Sequence, residues 1–222
     1  MTAIKMCGIT RHDDAELAVA LGVSALGFVL WPGSPRHAPL ADVDRIVRAL
    51  PPFVTPVGVF VSPTAEAVVL AVQTAGIRVA QIHGDVPEWP NGTAPVPLLR
   101  AVWLGAGDDD EIEPAVPLPA PVLLDAHDPV QHGGTGRTVD WARARRVARA
   151  RIVVLAGGLT PDNVGLAIGT VRPYAVDVAS GIEARPGVKD HALMHRFVDA
   201  VRNGEPASIS VPSDERRNWR IE

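Results

Sequence analysis

Short apolar runs alternate with amphipathic stretches along most of the chain. Eight runs read as strands: Ala3 to Cys7, Ala25 to Leu30, Pro56 to Val61, Val79 to His83, Leu98 to Trp103, Val122 to Asp125, Ile152 to Ala156 and Ala175 to Ala179. They are apolar nearly throughout, as parallel strands buried on both faces are. Between them, apolar positions three and four apart predict helices over Asp13 to Leu21, Ala41 to Leu50, Thr64 to Ala75, Val139 to Ala150 and Thr160 to Ile168. Gly76 stands where a helix closes in the left-handed conformation. Thr160 is predicted to cap the last of these helices, with Pro161 in its first turn.

This alternation over about 200 residues predicts a single α/β domain, a (β/α)8 TIM barrel. The other doubly wound arrangement, an open sheet, would favour a Gly-x-Gly-x-x-Gly turn after the first strand, and none is there. Asp85 to Pro97 and Gly105 to Pro121 are rich in Pro, Gly and acids, so the helices after strands 4 and 5 are expected to be short or absent. The barrel is expected to span residues 1–202. Residues 203–222 are polar and aperiodic and read as a tail, with Trp219 as a docking residue.

Composition narrows the class. Hydrophobic residues make up 47% and charged residues 21%, enough for a large core and against global disorder. A net charge of -4 offers no attraction to nucleic acid or an anionic membrane. The run from Leu17 to Trp31 is too short to span a bilayer, and the N-terminus lacks the parts of a signal peptide. One cysteine excludes an internal disulfide and fits a reducing compartment, so a soluble, cytoplasmic protein is expected.

Chemistry in such barrels gathers at the C-terminal ends of the strands. Cys7 ends the first strand and Asp125 the sixth, a thiol and a carboxyl able to act as base and acid if the fold unites them. Lys5 shares a face with Cys7 one layer below, and Asp177 is the predicted partner of its charge. A cation there would favour the Cys7 thiolate. Cys7 as a small buried hydrophobe, and Asp125 as a loop cap, are the alternatives. After strand 6 comes a Gly-rich loop, Gln131 to Gly136. After strands 7 and 8 come Gly157-Gly158 and Ser180-Gly181, where backbone amides can surround a phosphate at a helix N-terminus. Arg36, in the loop after strand 2, could hold a carboxylate, stack on a ring or simply be solvated. His83 could line the mouth or be a hydrogen-bonded structural residue. The seven histidines have no metal-ligand spacing, and no metal site is expected.

The blocks Lys5-Met6-Cys7-Gly8-Ile9-Thr10, Ser34-Pro35-Arg36, Val57-Gly58-Val59-Phe60, Gln81-Ile82-His83-Gly84, Gly133-Gly134-Thr135-Gly136, Asp140-Trp141, Leu155-Ala156-Gly157-Gly158-Leu159, Asp177 to Glu183 and Lys189-Asp190 together resemble phosphoribosylanthranilate isomerase of tryptophan biosynthesis. The resemblance covers residues 3 to about 201; Val139 and His37 stand where aromatics are expected. It implies Cys7 as general base and Asp125 as general acid of an Amadori rearrangement on N-(5-phosphoribosyl)anthranilate. It also implies contact of Arg36 with the anthranilate moiety, and a phosphate site at Gly157, Gly158, Ser180 and Gly181. His83 is carried as a further substrate-binding residue. No cofactor is implied, because oxidation at C2 is matched by reduction at C1. The expected partner is a small phosphorylated substrate, with the chain a monomer or homodimer. A sister or bifunctional histidine-pathway isomerase would typically place aspartate at Cys7 and need a second phosphate site. A catalytically silent phosphate-binding barrel would need neither Cys7 nor Asp125.

Overall fold

The computed structural model describes residues 1–104, 116–125 and 140–204. Eight parallel strands, β1 (Ala3–Cys7), β2 (Ala25–Val29), β3 (Thr55–Val61), β4 (Val79–His83), β5 (Leu98–Trp103), β6 (Val122–Asp125), β7 (Val153–Leu155) and β8 (Ala175–Val178), close into a barrel in chain order. Closure pairs β1 with β8, setting Lys5 opposite Asp177. Every predicted strand is present, with ends shifted by no more than a residue.

Among the described residues the outer layer comprises α1 (His12–Ala20), α2 (Leu40–Arg48), α3 (Ala65–Ala75), α4 (Trp141–Ala150), α5 (Val164–Val171) and α6 (His191–Gly204). Thr64 caps α3 by accepting the Ala67 N–H at 3.3 Å, and Gly76 ends it at φ 64°. Asp140 caps α4, its Oδ1 accepting from Ala142 and Arg143 N–H. Gly84 to Pro97 contains no helix, matching the shortened unit after β4. Most of the segment after β5, the Gln131–Gly136 loop and the 203–222 tail beyond Gly204 lie outside the described residues. None of the helices described is long and apolar enough to cross a membrane.

Two expectations are corrected. Thr160 does not cap α5, which begins at Val164. The Asn163 amide intervenes: its Oδ1 accepts the Thr160 N–H at 2.8 Å and its Nδ2 donates to Gly158 O at 2.9 Å, folding residues 158–163 into a turn. Nor does a full helix follow Ser180-Gly181. Ser180–Ile182 make one 3₁₀ turn, and a hairpin of β9 (Glu183–Arg185) and β10 (Val188–Lys189) separates it from α6.

Most of the core lies between strands and helices, from Ile4, Met6, Leu26 and Phe28 to Ile82, Leu124, Leu155 and Phe197. A second, small cluster fills the barrel interior: Leu99, Leu123, Val154, Ala156 and Ala175, with Ala3, Val79 and Ala101 against it. This cluster identifies the inward face of β1 and of β4 to β8.

Candidate active site

Side chains alternate along a strand, so the inward face of β1 runs Ala3, Lys5, Cys7 and that of β6 runs Leu123, Asp125. Ala3 and Leu123 both belong to the interior cluster. Cys7 and Asp125 therefore project into the same barrel, each at the C-terminal end of its strand. Asp125 is half-buried, and its carbonyl accepts the Leu104 N–H at 3.1 Å, tying the end of β6 to that of β5.

Below Cys7 the predicted charge pair is present. Lys5 Nζ donates to both Asp177 carboxylate oxygens at 2.9 Å, with both residues buried. A Cβ on Gly27 would fall 2.7 Å from Cys7 Sγ and 3.0 Å from Lys5 Nζ, so thiol and ammonium crowd the same bare stretch of β2. Any side chain at 27 would displace the thiol.

The expected ionisation of Cys7 is corrected here. Burial pushes the thiol above its ordinary value, and Asp177 adds to the rise; Lys5 and Lys189 oppose both without prevailing. Asp177 cancels much of the Lys5 charge seen by the sulfur. Cys7 thus rests as a neutral thiol, whose thiolate is scarcer but more basic than an ordinary one. The thiolate population therefore climbs at a higher pH than that of an exposed thiol. Alkylation of Cys7 by iodoacetamide at pH 8 is expected to be at least about tenfold slower in the native chain than in urea, read by mass spectrometry. Equal rates would contradict the burial.

Arg36 is not a solvated loop arginine. Its Nε donates to Glu183 at 3.0 and 3.1 Å and its Nη2 at 2.7 Å. Its aliphatic stem crosses Gly8, where a Cβ would come within 2.9 Å of Arg36 Cδ, so the guanidinium stem lies beside the end of β1. His83 ends β4 on the inward face, its Nε2 2.9 Å from Gln81 Nε2. It is hydrogen-bonded there, as the structural reading of it expects.

Gly157 and Gly158 adopt φ 80° and 65°, open to glycine at little cost. Gly181 packs directly on their loop, for a Cβ there would sit 1.9 Å from Leu159 O. The loops after β7 and β8 therefore share one contact at the barrel mouth. Glycine amides brought together in this way suit a phosphate, as does this position in the fold. Ser180 is exposed beside them.

Three further groups carry no role in the sequence reading. Asn163 orders the Gly158 turn. Glu183 and Lys189 come from the unpredicted hairpin, with Lys189 Nζ donating to Cys7 O at 2.6 Å, Ala179 O at 3.1 Å and Glu183 Oε1 at 3.0 Å. Lys189 stood in the sequence only as part of the Lys189-Asp190 block of the resemblance, without a role; with Lys5 it makes two lysines in the chain. Among the described residues, Asp13, Asp14 and His191 lie close enough to hold a cation, but Asp14 is already bonded to His191 and to the Lys189 N–H.

Residues 4–200 match the family model for N-(5'phosphoribosyl)anthranilate (PRA) isomerase. The chain is 42% identical to the N-(5'-phosphoribosyl)anthranilate isomerase of Leptothrix cholodnii over 96% of both chains. It is 36% identical, with TM-score 0.78, to a phosphoribosyl anthranilate isomerase solved with reduced 1-(o-carboxyphenylamino)-1-deoxyribulose 5-phosphate, covering 91% of this chain and all of that one. At 35% identity and TM-score 0.77, with the same coverage, it resembles mutually generated monomers of the dimeric enzyme from Thermotoga maritima.

Proposed function

This chain belongs to the N-(5'-phosphoribosyl)anthranilate isomerase family of tryptophan biosynthesis, and from that premise we propose that Cys7 is the general base and Asp125 the general acid of its isomerisation. The observation that carries the reading is the common inward face of Cys7 and Asp125 at the strand ends, at the mouth to which both glycine loops belong.

Phosphate amides at Gly157, Gly158, Ser180 and Gly181 hold one end of the sugar phosphate, and Arg36 meets the anthranilate carboxylate at the other. His83 contributes to the mouth. Asp125 gives its proton to the furanose ring oxygen, the C1–O bond breaks, and nitrogen's lone pair forms the iminium. Cys7, in its scarce thiolate form after its own proton has passed to solvent, then takes the proton from C2, and the C–H electrons neutralise the iminium to give an enolamine. Tautomerisation yields the 1-deoxyribulose 5-phosphate ketone. The chemistry is redox-neutral overall and draws on an acid and a base present together at one site.

The test is a spectroscopic assay on phosphoribosylanthranilate, with the histidine-pathway substrate as control. Turnover of the first alone is expected; turnover of neither would sink the reading. Asp125→Asn is expected to lower kcat about 100-fold with the unfolding midpoint unchanged. Loss of folding instead would make Asp125 a structural cap.

The catalytic barrel is taken as residues 1–202 and the site of action as the cytoplasm. The oligomeric state, monomer or homodimer, is measurable by light scattering.

A further inference from the structure

Arg36 is held by a residue 147 positions away, and that residue is held in turn. Glu183 is 4% exposed at its side chain and binds two cations at once, Arg36 at 2.7 Å and Lys189 at 3.0 Å. Lys189 is wholly enclosed at its side chain and spends its remaining donors on the carbonyls that end β1 and follow β8, Cys7 O and Ala179 O. Burial lowers the Lys189 pKa and Arg36 lowers it further, while Glu183 opposes both. The hairpin of β9 and β10 is thus pinned to the two strands that flank the barrel seam.

From this arrangement we propose that Glu183 is a positioning residue, fixing Arg36 in the orientation that meets the substrate carboxylate. The inference rests on the reading of Arg36 as the contact for the anthranilate end. An arginine fork has two edges that can take a carboxylate in bidentate fashion. Glu183 occupies the Nε–Nη2 edge, so a second carboxylate is met at the Nη1–Nη2 edge. Without Glu183 the guanidinium regains rotamer freedom that binding must then remove. The charges also fit. Arg36, Lys189 and Glu183 sum to a single positive charge, matched to the one carboxylate the aromatic ring carries. A carboxamide at 183 has one acceptor oxygen for two cations, and its NH2 would face a donor.

The measurement is kcat/KM for phosphoribosylanthranilate divided by kcat/KM for N-(5-phosphoribosyl)aniline, which lacks the carboxylate. A general structural defect cancels in this ratio. Glu183→Gln is expected to lower the ratio about tenfold, through KM for the carboxylated substrate, and Arg36→Met about 100-fold. The double variant Glu183→Gln/Lys189→Met removes both buried charges and is expected to show the same tenfold loss, so misfolding of the single variant leaves the test intact. If Arg36→Met depresses the ratio but neither Glu183 variant does, the positioning role is overturned and the reading of Arg36 stands. An unchanged ratio in Arg36→Met overturns both.

Discussion

Replacing Cys7 by alanine is expected to lower kcat by about 10²- to 10⁴-fold while the reduced product analogue binds within about threefold of the parent chain. The expectation follows from where Sγ sits. It lies over Gly27 at the C-terminal end of β1, buried, and the proposed function assigns the phosphate and carboxylate ends of the ligand to other groups. Removing the sulfur deletes a proton acceptor and leaves a gap of one atom. The thermal midpoint should therefore move little, by about 1 kcal/mol of stability at most. Steady-state turnover and calorimetric titration with the analogue separate the two effects. Retained turnover would discard Cys7 as base. Weakened binding matching the weakened rate would make it a contact residue instead.

The second large effect concerns stability. Lys5→Met is expected to cost about 3–5 kcal/mol, because it strands the Asp177 carboxylate inside the barrel with its two 2.9 Å bonds gone. For a chain of this size that is about a 10 °C fall in unfolding midpoint. Lys5→Met/Asp177→Leu, which removes both charges, should recover most of the loss. The pH dependence has a definite sign. Burial disfavours the Lys5 ammonium, but Asp177 and Cys7 together outweigh it and raise the folded pKa above the ordinary 10.5. The contribution is full below pH 10.5 and is lost as pH climbs through the folded value. A midpoint that falls above that pH in the parent and stays level in the double variant would bear this out. A single variant as stable as the parent would mean Asp177 is neutral or solvated.

The strands were legible because burial on both faces writes an uninterrupted apolar run, and each run found here matches its predicted span closely. The α3 ends were legible too, since Thr64 and Gly76 act locally. Thr160 misled because Asn163, three residues later, offers the same backbone a competing hydrogen bond, and propensity alone cannot decide between them. The Cys7 thiolate misled for an electrostatic reason: Lys5 and its partner Asp177 were both legible, but not that burial together with that carboxylate outweighs the lysine at the sulfur.

Alternation and strand order, both written along the chain, determined that a thiol and a carboxyl would stand at the ends of inward-facing strands, with glycine loops after the last two. Strand order also matched Lys5 with Asp177, but only the folded barrel decided how the charges of the loops and the hairpin meet. Glu183 reaches Arg36 from 147 residues away, and Lys189 reaches Cys7 from 182. Such contacts form because barrel closure brings the first and last strands together, and no local pattern of residues encodes a distance that closure alone creates.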